Sequence, residues 1–348
     1  MNKIIIAGIS MVITTSIMAQ TDTTKKVVPP ATTTFTYSVD AYYRSDFAGK
    51  LSNNKTSFTN SNNSFELGMA SIRVDHSFGK IAATADLGFG RRAEEFSYND
   101  GSGYPVGSGN GFTTLAAVKQ AYVSYAPSSK IKFTVGKWAT HIGYELLDAY
   151  SNRNYSMSYG FSYGPFSHTG FRADITLGAK SALMLGIANP TDYVTTSSPI
   201  NIFIAQFSTG TKNDKLKAFL NYQGGTDKSQ FDLVINGVVS SKFGINYDGT
   251  TATIASKTWT SNAIYFNYDP TSKFGLALRG EYFDDTKNAI GIGTSVFATT
   301  LSANIHLDNL TIIPEIRLDN AKDTFFINSS NAATKAAGNF LIAAVYKF

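Results

Sequence analysis

The feature that most limits what this chain can fold into is an apolar/polar alternation with a period of two, renewed in window after window of about ten residues. In "TFTYSVDAYYR" the apolar set is Phe35, Tyr37, Val39, Ala41 and Tyr43, against Thr36, Ser38, Asp40 and Arg44. In "KIAATADLGFG", Ile81, Ala83, Ala85, Leu87 and Phe89 oppose Thr84 and Asp86. "GFRADITLG" sets Phe171, Ala173, Ile175 and Leu177 against Arg172, Asp174 and Thr176. "LTIIPEIRLD" sets Leu310, Ile312, Pro314, Ile316 and Leu318 against Thr311, Glu315, Arg317 and Asp319. About ten residues is the length a tilted strand needs to cross a bilayer.

The connectors between windows come in two sizes. Short ones recur at 77–80, 126–130, 177–181, 209–215, 239–242, 269–273 and 307–310. Longer polar stretches lie between them, centred near 45–63, 91–112, 138–167, 189–199, 223–228, 249–257, 284–294 and 319–337. Strands counted between these connectors number about sixteen, with both termini on the short-turn side. Short turns at one end and long loops at the other predict an all-β fold, a transmembrane antiparallel up-and-down β-barrel. Closure leaves no unpaired edge in lipid. A soluble exported sandwich shares the alternation but does not predict the alternating connector lengths.

Both ends of the chain fit that expectation. "FLIAAVYKF", residues 340–348, keeps the strand pattern to its last residue, with Phe340, Ile342, Ala344, Tyr346 and Phe348 on one face and Lys347 on the other. That apolar face calls for lipid, and the aromatic rings of Tyr346 and Phe348 for the membrane boundary. At the other end, "MNK", the run "IIIAGISMVITTSIM" and Ala19 have the form of an export signal over residues 1–19. Residues 20–34 then form a flexible lead-in, and 35–348 the barrel.

Composition excludes several functions. The chain contains no Cys, so disulfides and thiolate metal sites are out. Its 25 Phe and 19 Tyr favour strands over helices. The formal charge of +5 is dispersed, without the basic block that binds nucleic acid. His141 and Glu145 stand four apart, but a single such pair without a third ligand does not make a metal site. His76, His168 and His306 fall near strand ends. "GSGYPVGSGNG", 101–111, lacks the strand-to-helix context of a phosphate cradle and reads as a surface loop. No nucleophile motif accompanies the Ser and His residues. The expectation is therefore a non-enzyme without cofactor or metal.

Several stretches resemble the OmpL-like β-barrel porin family (β-barrel porin type 2). The most specific is "VGKWATHIGYELLDAYSNRNYSMSYGFSYGPFSHTGFRADI", residues 135–175. "VKQAYVSYAP" (118–127), "LGIANPTD" (185–192) and "ALRGEYFDD" (277–285) follow the family's style in the same order. The resemblance implies an outer-membrane porin of a Gram-negative bacterium, embedded in outer-membrane lipid and passing small hydrophilic solutes. A C-terminal strand ending in Tyr346 and Phe348 also resembles the signal read by barrel-insertion machinery. Homo-oligomers are frequent among general porins. A barrel that works instead in adhesion or surface structure remains the alternative within membranes.

Candidate site residues follow. The polar face of the alternation gives Asp40, Arg44, Asp86, Arg172, Asp174, Arg279, Glu281, Glu315 and Arg317 as pore-lining. Three opposite-charge pairs stand two apart on one face: Arg172 with Asp174, Arg279 with Glu281, and Glu315 with Arg317. They would either set a transverse field or neutralise one another. The 138–167 loop is the candidate constriction, carrying Trp138, His141, Tyr144, Glu145, Asp148, Asn152, Arg153, Asn154 and Tyr155. Inward folding of this loop is expected partly by analogy with general porins.

Overall fold

A computed structural model describes residues 30–99, 114–196 and 201–348. The expected export signal, the lead-in up to residue 29 and the 101–111 glycine-rich stretch lie outside the described residues. The strands are β1 (Thr32–Asp46), β2 (Ser64–Phe78), β3 (Ile81–Phe89), β4 (Val118–Ser128), β5 (Ile131–Ala139) and β6 (Ser167–Thr176). They continue with β7 (Ala182–Ala188), β8 (Ile202–Gly210), β9 (Leu216–Gly224), β10 (Lys228–Ser240), β11 (Phe243–Ile254) and β12 (Lys257–Thr271). The rest are β13 (Phe274–Asp284), β14 (Ser295–Leu307), β15 (Leu310–Ala321), β16 (Phe326–Ile327), β17 (Ala333–Thr334) and β18 (Ala336–Lys347). Two short helices, α1 (Arg91–Phe96) and α2 (Tyr159–Tyr163), lie in loops.

Every strand except the β16–β17 hairpin joins one closed barrel in sequence order, sixteen strands in all, with β18 pairing back onto β1. Neighbours are antiparallel, and the closing seam runs from Ser38↔Lys347 to Asp46↔Asn339. The seam continues past the ladder: Tyr37 and Phe348 exchange both backbone hydrogen bonds at 3.0 Å. Their rings stack at 4.9 Å between centroids. The last strand therefore ends paired, leaving no open edge.

The alternation translates directly into two faces. Along β1, Ser38, Asp40, Tyr42, Arg44 and Asp46 are buried inward while Val39 and Ala41 are exposed outward. Val39, Phe171, Leu220, Ile264, Leu301, Ile316 and Ile342 stand on the outer surface, an apolar band that suits lipid. Pro314 sits on this outer face of β15. The β14–β15 ladder skips there between Ser302↔Glu315 and Ile305↔Ile312, as expected for a residue with no N–H.

Two expectations are corrected. β1 begins at Thr32, inside the segment expected to be a flexible lead-in, because Thr32–Thr34 pair with Asp75–Ser77. The stretches 223–228 and 249–257 are not long loops. β9 turns into β10 across residues 225–227, and β11 turns into β12 across Ala255 and Ser256 alone. Both of those turn residues have positive φ, 45° and 70°. A two-residue hairpin of that handedness matches the strand twist, so the polar run is extended strand up to the turn.

Candidate functional site

The 140–166 connector between β5 and β6 is held inside the barrel by the polar face of the wall. Descending, Gly143 N donates to Asp232 (3.1 Å) and Tyr144 N to Asp248 (3.0 Å). Glu145 then meets Arg279 at 2.5 Å, with side-chain exposures of 4% and 0%. Asp148 takes a hydrogen bond from Lys119 Nζ (2.6 Å), which also bridges to Asp86 (3.0 Å). Near the short-turn end, Arg153 pairs with Asp269, and Lys347 lies over the Tyr150 ring at 4.7 Å. The connector thus reaches from the long-loop end almost to the opposite mouth.

The returning leg is fastened more densely. Asn154 donates to Ser302 (2.7 Å), and Glu315 accepts from Tyr155 N (2.8 Å) and Ser156 N (3.1 Å). Tyr155 OH donates to Asp40 at 2.5 Å. Arg317 donates to Met157 O (2.6 Å) and Arg279 to Ser156 O (2.8 Å). The first amides of α2 find carboxylates: Tyr159 N (2.8 Å) and Gly160 N (2.7 Å) both donate to Glu281. Helix-start amides have no partner within the helix, so an acid there satisfies them. Ser158 caps the same turn, accepting from Phe161 N at 3.0 Å. Gly160 is required by this approach, since a Cβ there would lie 2.7 Å from Ser261 Oγ.

Burial shapes the chemistry of the loop. Burial first, then the charge of Asp40, holds the Tyr155 phenol well above its ordinary range, so it stays a neutral donor. Tyr159 is pushed up in the same way, by burial and then by Asp319. Burial lowers His141 to about 4, leaving a neutral imidazole whose Nε2 meets Tyr222 O at 3.0 Å. Toward the long-loop end the fill becomes apolar. Phe58, Phe96, Phe161 and Phe166, with Met69, Met157 and Leu147, form one cluster drawn from several loops and β2.

The sequence-derived candidates sort into two groups. All nine pore-lining candidates project inward. Arg172 and Asp174, which pair at 3.6 Å, are only partly buried. Arg172 also stacks on Trp138, 4.9 Å from its ring. Asp40, Arg44, Asp86, Arg279, Glu281, Glu315 and Arg317 are instead buried to 3% exposure or less. The expectation that these seven face water is corrected, because loop segments and neighbouring wall side chains cover them. Two of the three expected pairs are also corrected. Arg279 pairs with Glu145, while Glu281 receives α2; Arg317 pairs with Asp319 at 2.8 Å, while Glu315 receives Tyr155 and Ser156.

On the loop, Asn152 closes a local turn by accepting from Leu146 N at 2.9 Å. His141 and Glu145 are engaged with separate partners, Tyr222 and Arg279. Among the described residues, no group of three or more His, Asp and Glu is placed to hold a metal. Sequence reasoning missed Arg92, which donates to Leu147 O (3.0 Å) and Tyr155 O (3.3 Å). It missed Arg73 with Asp75 (2.7 Å), and the amide acceptors Asp232 and Asp248. The last two had a readable signal: each is an acid on a polar strand face with no cation two residues away.

A closed sixteen-stranded antiparallel barrel, apolar outside and polar inside, with one long loop folded into its lumen, defines a porin of the outer membrane. The chain belongs to the family described as "Putative beta-barrel porin-2, OmpL-like", which it matches over residues 32–348. No individually curated sequence matches it. Solved structures share its fold at low identity. The outer membrane channel DcaP of Acinetobacter baumannii aligns with a TM-score of 0.61 and 10% identity, covering 91% of this chain and 97% of that one. An anion-selective porin from Comamonas acidovorans gives 0.59 and 11%, covering 91% and 100%. OmpT of Vibrio cholerae gives 0.55 and 13%, covering 91% and 98%. The protein is an outer-membrane porin channel.

Proposed function

We propose that small hydrophilic solutes diffuse passively through the part of the lumen that the 140–166 connector leaves open, and that this connector sets the narrowest section. The observation that carries the proposal is the clamp of buried carboxylates and guanidinium groups, Glu281, Glu315, Arg279 and Arg317, that fixes the connector across the barrel. A restriction held by charge-assisted hydrogen bonds keeps a defined width, which is what size selection requires. Arg172 and Asp174, Arg73 and Asp75, and Lys132 are among the charged wall groups left accessible beside it. The driving force is the solute gradient alone. No catalytic role is assigned to any residue.

The same reading includes export by a signal over residues 1–19 in a Gram-negative cell, and recognition of the strand ending in Tyr346 and Phe348 by barrel-insertion machinery. Assembly into homo-oligomers is part of the proposal only as the habit of porins. Single-channel conductance of the purified protein in a planar bilayer under a salt gradient tests the channel directly. Stable open steps are expected, with a reversal potential reporting the accessible charges. A barrel that is demonstrably folded yet passes no current would overturn the proposal and move attention to the loops.

A further inference from the structure

The charges of the lumen are not spread evenly around it. Arg279 and Glu145, Arg317 and Asp319, Lys119 with Asp86 and Asp148, and Arg153 with Asp269 are all consumed in pairs between or beneath the connector and the wall. On the side of β8, β9 and β10, the connector faces the wall across a cavity of about 320 Å³. Its polar lining comes chiefly from Gln206, Asn221 and Asn236 on the wall and His141 and Tyr144 on the connector, with Phe219 beside them. Among the described residues, no Asp, Glu, Lys or Arg lines this cavity. Its volume is near the lower end for small-molecule sites.

The polar groups are partly held and partly available. Gln206 Nε2 donates to Asn221 Oδ1 (2.8 Å), and Asn221 Nδ2 to Asp232 (2.6 Å), which fixes both amides. Tyr144 OH accepts from Asn246 Nδ2 (3.1 Å) and lies 3.4 Å from Asn267 Nδ2, so its own proton is left to donate. Asn236 Oδ1 is a covered acceptor with no protein partner, reached when its amide turns. Because His141 Nε2 meets a carbonyl, that nitrogen carries the proton. Phe219 also borders a second cavity of about 390 Å³ at the short-turn end, so the two meet along the inner face of β9.

We infer that this neutral cavity is a binding site for uncharged, polyhydroxylated solutes of about monosaccharide size, lying on the route through the channel. The inference rests on the porin reading above and names the solute class of the same lumen. A hydroxylated solute exchanges water for the neutral amide and phenol groups of this lining, while its C–H faces pack on Phe219. An ion that sheds water in the same place meets no charged side chain in the lining, the acid behind it, Asp232, being turned to Asn221 Nδ2 and Gly143 N. Amide partners are also weaker than charged ones, which lets a bound solute leave.

Swelling of liposomes that contain the full-length protein, with glucose, glucuronate and glucosamine compared at equal osmolarity, tests the inference. Glucose is expected to enter about tenfold faster than either charged analogue, the effect of a single unmet hydrogen bond. Asn236→Asp, with folding checked by heat-dependent gel mobility, is expected to slow glucose, speed glucosamine over glucuronate and move the reversal potential toward cations. Charged analogues entering as fast as glucose, or an Asn236→Asp variant with unchanged rates and potential, would overturn the inference and leave the porin reading standing. Absence of both swelling and ion current would instead sink the porin reading, and the inference with it.

Discussion

Glu145 Oε1 and Arg279 Nη1 meet at 2.5 Å inside the barrel, joining a loop to a wall strand with almost no solvent on either group. Glu145 also accepts from Ser158 N and Ser158 Oγ, and Arg279 donates to Thr300, so the pair sits at the centre of a wider network. Removing one partner leaves the other buried and unpaired, which costs about 3–5 kcal/mol. Arg279→Met should therefore destabilise the folded barrel by that order and raise open-channel noise. Urea unfolding in detergent and single-channel recording read the two effects. The double variant Glu145→Leu with Arg279→Met should lose less than the sum of the singles.

Gly160 brings the connector close against the wall. A Cβ there would lie 2.7 Å from Ser261 Oγ and 3.0 Å from Ser261 Cβ. Gly160→Val should force α2 away from Glu281 at a cost of about 1–3 kcal/mol. The expected readout is a larger or less stable conductance with normal heat-dependent mobility. Conductance traces identical to the parent would show that the return leg does not bound the passage.

Asp192 ties the β7–β8 connector to the start of β6, accepting from Phe166 N and Ser167 N at 2.7 Å each. Burial raises its pKa to about 6 against an ordinary 3.8. A carboxyl whose folded pKa is raised contributes stability that is complete below about 4 and is lost as pH rises through about 6. The contribution is on the order of 3 kcal/mol. Asp192→Asn should flatten the stability profile between pH 4 and pH 6, and hydrogen exchange at Phe166 and Ser167 would show it. A variant that keeps the parent's profile would rule this group out as the source.

Phe348 is held by two backbone hydrogen bonds to Tyr37 and by stacking on its ring. Phe348→Ala should lower stability by about 1 kcal/mol through lost aromatic contact, and slow assembly further if the residue is read during insertion. Refolding into detergent, where no machinery acts, separates the two contributions. A refolding defect as large as the cellular one would leave packing as the whole effect.

The barrel was legible because each strand has two unlike solvents, and alternation records that directly in residues such as Val39 against Asp40. Tight turns were missed at 223–228 and 249–257 because Ser, Thr and Asn serve equally in loops and on a polar inner face. Ala255 and Ser256 carry no turn signature of their own. The pair Arg172–Asp174 was readable because it forms between the neighbours the alternation predicts. Arg279 and Glu281 were not, since their partners lie 134 and about 120 residues away on a loop, where no local spacing reports them. Sequence could mark an inward charge but not whether water or backbone would meet it.

The two tight hairpins at 225–227 and 255–256 leave the outer rim without a long connector at two places. Elsewhere it is built up by connectors such as 47–63, 285–294 and 322–335, whereas at β9–β10 and β11–β12 the wall simply stops. That loop-free stretch begins on β9 and β10, the strands that carry Asn221, Phe219 and Asn236. A molecule crossing the rim there would meet a tight turn and no long connector, on the quarter of the barrel where the interior offers amides instead of charges.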